Sequence, residues 1–87
     1  MAQTFTVNIN NMAFNPPSLG ITKGDTVIWV NQMQMDHTAT ADNGEFDSGD
    51  IQPNRTFTHT FPTGHTSGPV SYSCTIHDFM TGTVNVT

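Results

Sequence analysis

Apolar side chains recur at every second position through most of this chain, and clusters of Gly, Pro, Asn and Asp cut the pattern about every eight to twelve residues. That rhythm admits strands and turns and leaves little room for helices. In TFTVNIN, Phe5, Val7 and Ile9 share one face. Phe57, His59 and Phe61 do so in RTFTHTF, Val70, Tyr72 and Cys74 in PVSYSC, and Val84 and Val86 in GTVNVT. DTVIWVN is apolar on both faces and reads as a central strand. FNPPSLGITKGD supplies a proline break, a strand and a Lys23-Gly24-Asp25 turn. Residues 41–54 read as a loop, with Asn43-Gly44 and Ser48-Gly49-Asp50, in which weak patterning leaves room for one helical turn. Abundant Thr and scarce Ala suit strands. The expected fold is all-β, a sandwich or barrel of about seven strands.

Size and charge narrow what such a fold could do. The chain has 87 residues, enough for one small domain spanning 1–87 and too few for two. No apolar stretch is long enough to cross a membrane as a helix. Met1-Ala2-Gln3 runs straight into a strand pattern, which reads as an initiator methionine placed before a mature sequence whose export or anchoring segment is gone. Lys23 and Arg55 are the only basic residues against seven acids, for a formal charge of −5. Two cations cannot form a phosphate-binding patch, so nucleic acid is excluded as a partner. An anionic membrane surface is an equally poor match, while a basic protein partner fits.

The chain holds one cysteine, so an internal disulfide is impossible. That thiol is a small buried hydrophobe, a reactive group or a ligand. Its surroundings, SCTIHDFM, space Cys74, His77 and Met80 three residues apart. Strand phase turns Cys74 inward with Val70 and Tyr72, and in HTATA it turns His37 inward with Ala39 and Ala41. The candidate set is therefore His37, Cys74, His77 and Met80. Structural zinc would want more thiolates or imidazoles, and iron–sulfur clusters need more cysteines. Two imidazoles, one thiolate and one thioether are the donors of a blue-copper centre, with the methionine axial. A short loop clamped between two strands, plus a distant fourth ligand fixed by the fold, suits an ion that changes charge with little movement. Singly, each residue has an ordinary reading: Met80 as core, His37 as a hydrogen-bonded or surface histidine, Cys74 as a small buried residue. A helix could also align 74, 77 and 80, although the flanking alternation and Gly82 oppose it.

The chain resembles the cupredoxins, the small blue copper proteins, and most closely their plastocyanin and amicyanin branch. MAFNPPSLGITKGDTVIWVN is similar to that family's N-terminal sheet, and DHTATADNGEFDSGDI to the region of its first histidine ligand. RTFTHTFPTG is similar to the following core strand, and YSCTIHDFMTGTVNV to the ligand loop and final strand, with the short, amicyanin-like gap between His77 and Met80. The resemblance implies a Greek-key β-sandwich of seven to eight strands holding one type 1 copper ion. It implies His37, Cys74, His77 and axial Met80 as ligands, a hydrogen bond from the Thr38 N–H to the Cys74 sulfur, and His77 as the electron's port. It also implies a monomeric carrier of single electrons between redox partner proteins, working outside the cytoplasm, in a periplasm or on the outer face of a membrane.

Some features depart from the family pattern. Asp36 precedes His37, and Asp78 follows His77 where proline is common. Close and ionised, the two carboxylates would favour Cu(II) and lower the potential; pointing into solvent, they would be screened. FPTGHTSGPVSYSC is a longer connection than relatives carry and adds His65. It is expected to be a surface loop at the end away from Cys74, with His59 a neutral, hydrogen-bonded histidine at the core edge. A second metal site at His59 and His65 is the lesser alternative. Met33, Met35, Ile76 and Phe79 are expected to form an apolar collar around the ligands, with Met35 a substitute axial donor. Two rival functions remain: copper-dependent oxidation or reduction of a small molecule at an open site, and copper storage or delivery. No general base is evident for the first, and a lone embedded cysteine suits the second poorly.

Overall fold

In the computed structural model, which describes residues 2–87, the alternating segments become eight strands: β1 Thr4–Asn10, β2 Ala13–Asn15, β3 Ser18–Ile21, β4 Thr26–Asn31, β5 Thr40–Ala41, β6 Thr56–Thr60, β7 Gly68–Ser73 and β8 Thr81–Val86. They form two four-stranded sheets, β2-β1-β4-β6 and β3-β8-β7-β5. β1 pairs with β4, and β3 with β8, in parallel; the other neighbours are antiparallel. No helix occurs among the described residues. The structure thus has the expected all-β sandwich architecture, with the eighth strand supplied by the very short β5.

The inward residues of the two sheets form one core. Val7, Ile9, Val27, Trp29, Phe61, Tyr72, Cys74, Met80, Val84 and Val86 are all almost fully buried. Trp29 lies at its centre, with its ring 5.1 Å from Phe46 and 5.3 Å from Tyr72. β4 is an inner strand, between β1 and β6, as its apolar run predicts. Although apolar on both faces, it buries only Val27, Trp29 and Asn31, and leaves Ile28 and Val30 half-covered. In a two-layer sandwich the outer face of a central strand meets solvent, whatever its side chains.

Residues 41–54 are a loop, as expected, apart from Ala41 in β5 and two bridged positions. Isolated bridges pair His37 with Ile51 and Thr40 with Asp47, so residues 37–51 fold back as a loose hairpin. The hairpin buries Phe46 and Ile51 in the core. At the Lys23-Gly24-Asp25 turn, Gly24 has φ +95°, a conformation that favours glycine. The Asp25 carboxylate accepts N–H groups from Thr22 and Gln3, at 2.9 and 2.8 Å, fastening the turn to the start of β1.

Candidate metal centre

β7 delivers Cys74 to one end of the sandwich and β8 departs from Thr81, so residues 74–80 must turn back within seven positions. Two backbone hydrogen bonds close that turn. The Cys74 N–H donates to the Met80 carbonyl at 3.0 Å, and the Met80 N–H to the His77 carbonyl at 2.9 Å. The loop is a strand-to-strand turn, and a helical alignment of 74, 77 and 80 is ruled out by its geometry. Cys74 and Met80 are buried, His77 is half-buried, and Asp78 and Phe79 are exposed.

His37 reaches the same end from the hairpin. Its backbone exchanges two hydrogen bonds with Ile51, at 3.2 and 2.7 Å. Asn31, at the end of β4, holds both flanks of the histidine. Its buried side-chain amide donates to the carbonyls of Met35 and Ile51, each at 2.8 Å, and its Oδ1 accepts the Met33 N–H at 2.9 Å. Thr38 links the two donor-bearing segments. Its N–H points to Cys74 Sγ at 3.4 Å, the contact that the resemblance implied, and its hydroxyl accepts the Thr75 N–H at 2.8 Å. The sequence reading missed Asn31 and the Thr38 side chain. The one available signal was a polar residue in the inward phase of β4, directly after Trp29 on that face.

The donor atoms of His37, Cys74 and His77 lie within 4.8 Å of one another. Cys74 Sγ is 3.8 Å from His37 Nδ1 and 3.9 Å from His77 Nδ1. Metal bonds of about 2.3 Å to sulfur and about 2.05 Å to nitrogen would place S and N about 3.8 Å apart in a trigonal plane and about 3.6 Å apart in a tetrahedron. The observed sulfur–nitrogen separations are in the range of donors that share one ion. Burial is the main cause that lowers the His37 pKa below the ordinary histidine value, helped by His77 and opposed by Asp36. The shift favours the neutral imidazole, the form that can bind a cation. Its Nε2 is buried without a hydrogen-bond partner among the described residues.

Of the expected collar, Met35, Ile76 and Phe79 are 46, 48 and 66 % exposed, and all three lie in the loops that carry the donors. Met33 is half-buried, and its sulfur accepts the Met12 N–H at 3.4 Å. Tyr72, two residues before Cys74, is held in the core between Phe14 and Trp29, and burial pushes its hydroxyl pKa up to about 12.

His59 and His65 belong to neither the donor set nor its end of the molecule. The Glu45 carboxylate, near the tip of the hairpin, receives His59 Nε2 at 3.0 Å and His65 Nε2 at 2.8 Å. His65 Nδ1 donates to the Thr66 carbonyl, so Nε2 must carry a second proton to donate to Glu45. The contact with Glu45 is the chief cause that raises the His65 pKa. For Glu45, burial works against ionisation, but the two histidine hydrogen bonds outweigh it and lower the pKa. Glu45 thus clasps the long 61–67 connection to the hairpin, a role the sequence reading did not assign.

Comparison with known proteins adds an independent line. A family model described as copper binding proteins, plastocyanin/azurin family, matches residues 1–87. A solved structure of an amicyanin variant in its Cu(I) form aligns with a TM-score of 0.84 at 29% identity, over 97% of this chain and 82% of that one. An oxidised amicyanin variant aligns with the same score at 30% identity and the same coverage. A copper-containing nitrite reductase from Thermus scotoductus aligns with a TM-score of 0.83 at 25% identity, over 94% of this chain but only 22% of that enzyme. Among curated protein sequences, none matches.

Proposed function

Because the chain belongs to the plastocyanin/azurin family of copper-binding proteins, we propose that it carries single electrons between redox partner proteins through one type 1 copper ion. His37 Nδ1, Cys74 Sγ, His77 Nδ1 and the Met80 thioether would hold the ion. Bound copper supplies the one-electron couple between Cu(I) and Cu(II). The protein's part is to favour the neutral form of His37, to hold the Cys74 sulfur against the Thr38 N–H, and to fix the donor spacing by strand pairing. A site so pre-arranged needs little movement when the charge changes.

One observation carries this reading. His37, Cys74 and Met80 are buried, and His77 alone reaches the surface, on a loop flanked by exposed Ile76 and Phe79. That arrangement gives an electron a short exit through His77 while keeping the other three donors from small molecules, which favours a carrier over an oxidase or reductase. The exposed Met35, Ile76 and Phe79 would dock a partner's apolar surface. The acidic charge of the chain favours a partner of opposite sign. We place the protein outside the cytoplasm, as is typical of this family, and read residues 1–87 as one domain.

The test is an optical and EPR spectrum of the copper-loaded protein. An intense visible band that ascorbate bleaches, that C74S abolishes and that azide leaves unchanged is the expected result. A colourless copper complex would refute the type 1 reading. A band shifted by azide, with steady turnover of a small reductant, would favour the open-site enzyme instead.

A further inference from the structure

Glu45, His59 and His65 come from three separate parts of the chain: the hairpin, β6 and the 61–67 connection. None belongs to the donor set of the first centre. Their side chains are mostly covered yet reach the surface, at 19, 21 and 12 % exposed. Packing fixes the two imidazole rings. His59 lies 4.9 Å from Phe46 and 4.7 Å from Phe61, and His65 lies 5.6 Å from Phe61. Both phenylalanines are buried in the core.

Each ring turns its Nε2 to the carboxylate, at 3.0 Å for His59 and 2.8 Å for His65. An ion about 2.05 Å from nitrogen and about 2.1 Å from oxygen holds the two about 2.9–3.4 Å apart. The first separation is inside that range and the second just short of it. His65 carries a further mark of a ligand. Its Nδ1 donates to the Thr66 carbonyl at 2.6 Å, which orients the ring and leaves Nε2 as the atom for a metal. Histidines in metal sites commonly have the far ring nitrogen held in this way. The two imidazoles sit on different oxygens of the carboxylate, and the three donors are not all within 4.8 Å of one another, as the first set is. An ion therefore has to draw them together. The connection can yield, because Pro62, Thr63, Gly64, Thr66 and Ser67 are exposed.

We propose that Glu45, His59 and His65 form a second cation site, which takes one divalent ion of the zinc or copper(II) class in place of the protons they share. Two imidazoles and one carboxylate suit such ions, whereas calcium and magnesium prefer oxygen donors alone. Water completes the coordination, as in zinc sites with three protein ligands. The exchange balances in protons. His65, protonated on both nitrogens, gives its Nε2 proton to solvent. A His59 ring with a single proton moves it from Nε2 to Nδ1, and Glu45 stays ionised. About one proton leaves per ion. The formal charge of −5 favours the ion, and Lys23, whose charge acts on His65, opposes it. Once bound, the ion pins β6 and the 61–67 connection to the hairpin that carries His37. The inference is independent of the electron-carrier reading: copper retained, measured by elemental analysis, serves as the readout below even in a colourless complex.

Calorimetric titration of the copper-loaded protein with zinc tests it, slightly above neutral pH and in two buffers that differ in heat of ionisation. The expected result is one zinc bound and about one proton released, with the copper retained and the visible band unchanged. H65A and E45Q should each weaken zinc binding by about 10–100-fold or more. Their unchanged visible band and circular dichroism would show that both variants fold. D50N, which removes an exposed acid from the same hairpin, should bind zinc as wild type does. Failure to bind any zinc while copper is in place would overturn the proposal. So would binding that H65A and E45Q leave unchanged, or that D50N weakens as much, since the ion would then answer only to the general charge of the chain. Zinc that drives copper out has gone to the first centre, and that result would overturn it as well.

Discussion

Gly82 sits where a methyl group has nowhere to go. It lies directly across the β7–β8 ladder from Tyr72, and a Cβ at that position would come 2.4 Å from both Cζ and the hydroxyl oxygen of the tyrosine. Ordinary contact begins near 3.4 Å, so G82A demands a movement of about 1 Å. The ring cannot swing away, because Tyr72 is 1 % exposed and packs edge-on against Phe14 at 4.7 Å and Trp29 at 5.3 Å. Overpacking of this kind costs about 1–3 kcal/mol, and a rigid neighbour on every side puts the cost at the upper end, ~3 kcal/mol. Replacing glycine in a strand returns roughly 0.5–1 kcal/mol of backbone entropy, leaving a net loss of about 2 kcal/mol. At about 4–8 °C per kcal/mol for a chain of this size, Tm should fall by about 8–16 °C. Thermal melts followed by circular dichroism, on the copper-free and copper-loaded forms, measure it. G20A is the matched control. Gly20 is also in a strand, and a Cβ there would meet nothing within 4 Å, so the Tm of this variant should hold or rise slightly. A G82A melt within about 3 °C of wild type would show that the tyrosine relaxes freely, and would refute the account of close packing behind the donor loop.

N31A should remove three hydrogen bonds at once, leaving the Ile51 carbonyl with the His37 N–H alone, at a cost of roughly 2–4 kcal/mol, read as a lower denaturant midpoint together with weaker metal binding. E45Q should change how stability depends on pH. The raised His65 pKa contributes stability that is full below its ordinary value of 6.5 and fades as pH rises through the raised one. The lowered Glu45 pKa contributes stability that is full above its ordinary value of 4.5 and fades as pH falls through the lowered one. The gap in stability between wild type and E45Q should therefore be widest from about 4.5 to 6.5, in denaturant melts taken across pH. A gap that is flat across pH would mean that the clasp is not ionic.

The donor set was legible in the sequence because each part of it rests on a local rule. Strand phase turned Cys74 and His37 inward, and three-residue spacing put His77 and Met80 on the same short turn. The residues that hold the donors rest on tertiary neighbours instead. Nothing within a few positions of Asn31 announces that its amide reaches Ile51, twenty residues away. Glu45 reads as one more solubilising acid until the fold brings His59 and His65 to it. The loop-like reading of 41–54 holds, but the part this segment plays in the core was not legible, for a related reason. The segment lacks alternation because it closes the side of the sandwich through Phe46 and Ile51 alone, and two isolated bridges leave no repeating pattern to detect.

The hairpin that carries His37 has a dynamic consequence. Its two bridges close it on itself and its strand pairing to a sheet is the two-residue β5, the rest of its ties being side-chain contacts, whereas the Cys74–Met80 turn is framed by the six-residue strands β7 and β8. Local opening should therefore begin in the hairpin, which has the shorter backbone ladder to a sheet. Hydrogen exchange in the copper-free protein should be fastest around residues 37–51 and slow along β7 and β8. A metal held jointly by His37 and the turn joins the segment that opens most readily to the one that opens least, so loading should slow exchange in the hairpin far more than elsewhere.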